Sequence, residues 1–241
     1  MRASWRIAGL AAGLGAGIAF GVALGPGKAP ANEVPAAPAG LGDRSAEAPG
    51  GEMRVDARSA RACLGARGCR LDRARLEAAP PGARISLQID RARGGVSGLG
   101  IARDPGNGFN DAELQGPVAG RGGERLTIRL DGPHLIGEIR LAHLFNPEHI
   151  DGDPAEAAVV DAWLGAEPVG RLRVTSLDDR EIAVEGPVED ARRVSPVAGV
   201  IRLIEPFRGA PVDRVVFSAA AVEGGDSSDY SLNLFRATPT N

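Results

Sequence analysis

Three stretches of the chain concentrate oxygen donors. The first holds Asp104, Asn107, Asn110, Asp111 and Glu113, the second Glu148, Asp151, Asp153 and Glu156, and the third Glu223, Asp226 and Asp229. Carboxylates and amides at this density suit a hard cation, because calcium collects roughly six to eight oxygens from flexible loops. The candidate calcium ligands are Asp151, Asp153 and Glu156, with Asp104 and Asp111 from the first stretch. None of the three stretches has the EF-hand spacing, and acidic loops between strands are also ordinary solvated turns. Calcium is the one cofactor this composition suggests.

Other chemistry-bearing residues carry weaker patterns. His143 shares strand parity with Ile139 and Leu141, which directs it to the core. His149 lies beside Asp151 and Asp153 but without a recognised zinc spacing. Ser97 sits in Gly94-Gly95-Val96-Ser97-Gly98, where Leu99 occupies the position a nucleophile elbow gives to its last glycine. Gly98-Leu99-Gly100 lacks the third glycine of a dinucleotide fingerprint. Paired carboxylates could cleave glycosides, but the sequence singles out no pair. Aromatics that stack on sugars are few. Phe109, in a Gly/Asn loop, is the ring expected to be exposed, whereas most others lie on apolar strand faces. Cys63 and Cys69 lack the C-x-x-C spacing of a redox pair, and no histidine lies nearby to complete a zinc site. A disulfide is the expectation in an oxidising compartment, restraining the unfolded chain by roughly 2 kcal/mol for so short a loop.

The elements that must position these residues read as strands. Ile85, Leu87 and Ile89 alternate with Arg84, Ser86, Gln88 and Asp90. The same period of two recurs at 126–131, 138–141, 171–175, 182–184, 201–203, 215–217 and 230–234. Asp104-Pro105-Gly106, Asp131-Gly132-Pro133, Glu185-Gly186-Pro187 and Gly224-Gly225-Asp226 supply turn signals between them. Residues 154–164 fit two readings. Asp153-Pro154-Ala155-Glu156 has the form of a helix start, yet Val159, Val160 and Trp163 suit a strand, which we favour. The fold class expected is all-β: an antiparallel, jelly-roll-like β-sandwich preceded by an apolar N-terminal helix.

That N-terminus has the order of an export signal. Arg2 and Arg6 precede an uncharged stretch from Ile7 to Leu24, and Ala29-Pro30-Ala31 offers a small-x-small cleavage site. Gly9, Gly13, Gly17, Gly21 and Gly25 would form one ridge on a helix, as in an uncleaved anchor whose helices associate. Residues 1–31 are therefore a signal peptide or membrane anchor, 32–52 a flexible Pro/Gly/Ala linker, 53–82 an Arg-rich lead-in carrying the cysteines, and 83–241 the sandwich. Arg54, Arg58 and Arg61 of the lead-in could line one helix face, with solvation their expected role. A net charge of −3 gives no reason to expect nucleic acid as a partner. Lys28 is the only lysine beside abundant arginine, a coding bias that lowers the weight of any arginine cluster.

The succession Gly98-Leu99-Gly100-Ile101, the polar 107–113 loop, Leu126–Leu130, Leu135–Phe145, Gly152-Asp153, Val215–Ser218 and Ser228–Leu232 resembles the jelly-roll-like domains of exported bacterial proteins of unknown function. The resemblance spans roughly residues 83 to 237. Some members of that group carry a PEP-type sorting tail; this chain ends at Ala237-Thr238-Pro239-Thr240-Asn241 with no apolar tail, so sorting by that route is not expected. The resemblance implies a fold and a compartment rather than an activity. The expected function is an exported, non-enzymatic binding or structural module of the bacterial envelope, with an envelope or extracellular ligand. It would touch the membrane only through its N-terminal segment. The alternatives are a calcium-stabilised, lectin-like or adhesive domain and an envelope hydrolase using loop carboxylates.

Overall fold

Leu126, Ile128 and Leu130 are buried while the alternating Arg125 and Arg129 are exposed, which is how a strand with one face on a core is written. The computed structural model describes residues 51–91, 95–103, 113–117, 122–145, 155–178, 180–220 and 229–240. They form thirteen strands: β1 (Met53–Asp56), β2 (Gly68–Leu71), β3 (Ala74–Ala79), β4 (Arg84–Asp90), β5 (Val96–Ala102), β6 (Arg125–Ala142), β7 (Ala157–Leu164), β8 (Glu167–Ser176), β9 (Ile182–Glu185), β10 (Asp190–Ser195), β11 (Val200–Ile204), β12 (Pro211–Ala219) and β13 (Ser231–Pro239). Every ladder is antiparallel. The fold is all-β among the described residues, apart from a 3₁₀ turn at Arg61–Cys63.

β6 organises the whole. Its first half pairs with β3 on one side and β12 on the other, and β7, β8 and β9 follow β12 in order. Its second half pairs with β13 and β11, which continue through β5 and β4 and through β10. The Asp131-Gly132-Pro133 turn expected from sequence does not end the strand. Pro133 cannot donate to a ladder, but its carbonyl accepts the Thr240 N–H at 3.0 Å, so β6 continues and exchanges partners there. Side chains from both groups of ladders fill one core, where Phe217 of β12 meets the edge of Phe235 of β13 at 6.3 Å.

Residues 157–164, for which a strand was favoured over a helix, are strand β7, turning at Gly165 into β8. The segment 53–82 supplies β1, β2 and β3, which pair with β13 and β6. Arg54 therefore lies on a strand, ion-paired to Asp56 at 2.6 Å, rather than on a helix face with Arg58 and Arg61. Cys63 and Cys69 form a disulfide with Cα atoms 5.4 Å apart, and Cys63 packs into the core. Residues 1–31, with the expected signal or anchor, lie outside the described residues. Among those described, no helix is long and apolar enough to cross a membrane.

Candidate functional site

The three acidic stretches begin and end at one edge of the fold. The Leu114 N–H donates to the Tyr230 carbonyl at 2.6 Å, Phe145 N–H donates to the Glu156 carboxylate, and Ala220 N–H donates to the Ala157 carbonyl at 2.8 Å. These bonds join the flanks of the stretches 104–112, 146–154 and 221–228. Tyr230 secures the junction. It is fully buried, and its hydroxyl donates to the Ser218 carbonyl at 3.1 Å, tying the start of β13 to β12.

Glu113, Glu156 and Asp229 stand at this junction, one from each stretch. Glu113 is 5% exposed, whereas Glu156 and Asp229 are half-buried. Burial pushes the Glu156 carboxyl up to about 10. The negative charge of Asp229, a hydrogen bond with it and the charge of Glu113 add to that rise, and the Phe145 N–H opposes it. At neutral pH Glu156 therefore keeps a proton and shares it with Asp229.

His143 closes the inner side. It follows β6 with φ +61°, held by its N–H to the Ala198 carbonyl at 3.1 Å. The neighbouring Gly199 has φ +56°, and a Cβ there would lie 2.8 Å from the Leu144 backbone, so glycine is required. His143 Nδ1 lies 2.7 Å from Ser231 Oγ and 3.5 Å from Glu113 Oε1. Ser231 is fully buried and packs on Gly98, where a Cβ would stand 2.0 Å from its hydroxyl. In a nucleophilic triad the serine and the acid take opposite nitrogens of the imidazole. Here both approach Nδ1, so the trio is a structural network.

Of the candidate calcium ligands, Glu156 lies in this cluster, and Asp104, Asp111, Asp151 and Asp153 lie outside the described residues. His149 and Phe109 lie outside them too. Among the described residues, no group of three or more His, Cys, Asp or Glu side chains is placed to hold a metal ion. The sequence pointed to the acidic stretches, but not to Ser231, whose burial depends on Gly98 across the ladder. It also did not single out Trp163, which is half-exposed on the outer face with Arg214 over its ring at 4.5 Å. Phe207, Phe217, Tyr230 and Phe235 are buried, Phe217 on a strand face as expected and Phe207 in the turn between β11 and β12. No protein-family model matches the chain, and no curated protein matches it.

Proposed function

We propose that the chain is an exported, non-enzymatic binding module of the bacterial envelope, a jelly-roll-like sandwich whose acidic end takes up calcium. The observation that carries this is the convergence of Glu113, Glu156 and Asp229, drawn from three separate acidic stretches onto one end of the fold. An all-oxygen donor set suits a hard cation, and Asp104, Asp111, Asp151 and Asp153 in the adjoining stretches would complete the shell. The cation would replace the proton that Glu156 holds, removing the repulsion among the three carboxylates. Export is supported by the order of charge and apolar residues at the N-terminus and by the disulfide.

A thermal melt in excess calcium and again in EDTA tests the reading. Calcium at about a hundred times its dissociation constant adds about 2.7 kcal/mol, a rise of roughly 5–10 °C for a domain of this size. Equal melting temperatures at millimolar calcium would remove the cation from the proposal.

One observation favours a second reading, hydrolysis by paired carboxylates: Glu156 keeps a proton beside Asp229, as a general acid must. Turnover of a glycan that disappears in Glu156→Gln while the melt stays cooperative would establish that reading.

A further inference from the structure

Away from the acidic end, the ladder register sets four arginines and a tryptophan in a single row. Arg70 of β2 faces Arg75 of β3, which faces Arg129 of β6, then Arg214 of β12, then Trp163 of β7. Directly paired residues share a sheet face, so the row crosses the outer surface over four strand spacings, about 19 Å. Arg75 and Arg129 are 66% and 48% exposed. Like charges directly opposite one another destabilise a sheet, and here three consecutive pairs do so.

Composition alone explains many arginines in this chain but not this arrangement. A second row, Arg202 and Arg140, shows the ordinary solution: both guanidiniums converge on the buried Glu138 at 2.7 and 2.6 Å. In the outer row Glu77 serves only the middle, at 3.2 Å from Arg75 and 3.0 Å from Arg129. Arg70 and Arg214 have no ion pair among the described residues, and Arg214 Nε has no hydrogen-bond partner there. Shallow hollows flank the row at both ends. One of about 300 Å³ is bordered by Trp163, Pro168, Asp161 and Arg171, and one of about 110 Å³ by Arg70, Arg73, Arg75 and Asp131.

We propose that this row is the binding surface for a linear acidic polysaccharide, its carboxylates on the guanidinium forks and one sugar ring in the hollow that Trp163 borders beside the Arg214 guanidinium stacked on its ring. Guanidinium is the side chain whose planar donors match a carboxylate in pairs, and an indole face accepts the C–H face of a pyranose. An extended glycan advances by about one strand spacing per sugar, so its charges fall in step with the row. A single ring and a chain of net charge −3 argue against single-stranded nucleic acid, which is gripped by several stacking platforms on a basic groove. The proposal supplies a ligand class for the binding module inferred above and rests on that reading for its extracytoplasmic setting, but not on calcium.

The test uses the full chain in mild neutral detergent with Trp5→Phe, which leaves Trp163 as the sole tryptophan reporter. Short oligogalacturonates are titrated in EDTA at low salt, with neutral dextran and a single-stranded oligonucleotide as the other arms. Binding should perturb Trp163 fluorescence, weaken with added salt and be absent with dextran. Arg70→Ala and Arg214→Ala should each lower affinity about two- to fivefold, the range of an exposed ion pair, while both variants still melt cooperatively. Three outcomes overturn the proposal: no oligogalacturonate binding by a cooperatively melting protein, affinity unchanged in both arginine variants, or tighter binding of the oligonucleotide. Because calcium is chelated throughout, failure of the cation reading leaves this result standing, and the converse holds as well.

Discussion

Glutamine at position 156 preserves the shape of Glu156 and abolishes its titration, so Glu156→Gln isolates what the shared proton does for the fold. The Glu156 carboxyl is raised from 4.5 to about 10 in the folded protein. A raised acid contributes stability that is fully present below the unfolded value and is lost as pH rises toward the folded one. From pH 4.5 to about pH 8 the linkage, at about 1.4 kcal/mol per unit, has a ceiling of about 5 kcal/mol. Glu156 is half-buried rather than sealed, and solvent at its rim reduces this to about 1–2 kcal/mol. In EDTA, denaturant unfolding followed by circular dichroism should show Glu156→Gln more stable than the unsubstituted protein by that amount at about pH 8. The difference should shrink toward zero at about pH 5, because both side chains are then neutral. The amide oxygen still accepts the Phe145 N–H, so no bond is lost by design. Calcium should stabilise the unsubstituted protein more at the higher pH, where fewer protons compete. Parallel pH profiles for the two proteins, or a variant less stable at the higher pH, would refute the shared-proton account and with it the electrostatic case for a cation.

Glu138 has the opposite pH dependence. Burial works against its charge, but hydrogen bonds from Arg140 and Arg202 prevail and hold its carboxyl below the usual range. Its stability is present above pH 4.5 and lost as pH falls. Glu138→Gln should cost about 2–4 kcal/mol near neutrality by leaving Arg140 and Arg202 without a carboxylate, and denaturant midpoints should converge in acid. Replacing Cys63 and Cys69 together by serine should cost roughly 2 kcal/mol in the same assay, from the small loop they close. Phe217→Ala, which empties a fully buried site against Phe235, should cost about 3–5 kcal/mol. Gly98→Ala should cost about 1–3 kcal/mol and displace Ser231 from His143, visible as a changed imidazole resonance in NMR.

Most strands were legible because they are half-buried, and period two is the direct imprint of one covered face. Arg84–Asp90 is a strand as read, though only Ile85 of its three apolar residues is fully buried and Ile89 is exposed, and 157–164 resolves to strand because Val159 and Val160 suit a ladder better than their neighbours suit a helix. β1 was not legible. Four residues carry one alternation, Met53 and Val55 against Arg54 and Asp56, and the strand exists because Leu234–Ala237 presents a free edge to it. Local pattern cannot report such an edge. The continuity of β6 through Pro133 was hidden for the same reason, since the donor that compensates the proline, Thr240, lies at the far end of the chain.

The two candidate surfaces were legible to different depths, and the cause is where their information resides. Acidic loops are visible in composition, so Glu113, Glu156 and Asp229 stand out as oxygen donors from sequence alone. Their convergence, and the proton Glu156 keeps, depend on which strand ends adjoin. The arginine row is invisible in sequence, because Arg70, Arg75, Arg129, Arg214 and Trp163 become neighbours only through ladder register. A shift of one residue in any of those ladders would send an arginine into the core, which is how register is enforced. The hydrophobic pattern that buries Leu76, Ile128 and Val215 therefore also aligns the charges on the opposite face. Packing of the core leaves the outer residues of the aligned positions open, so the arginine row is set by register and by the residues at those positions rather than by any local pattern.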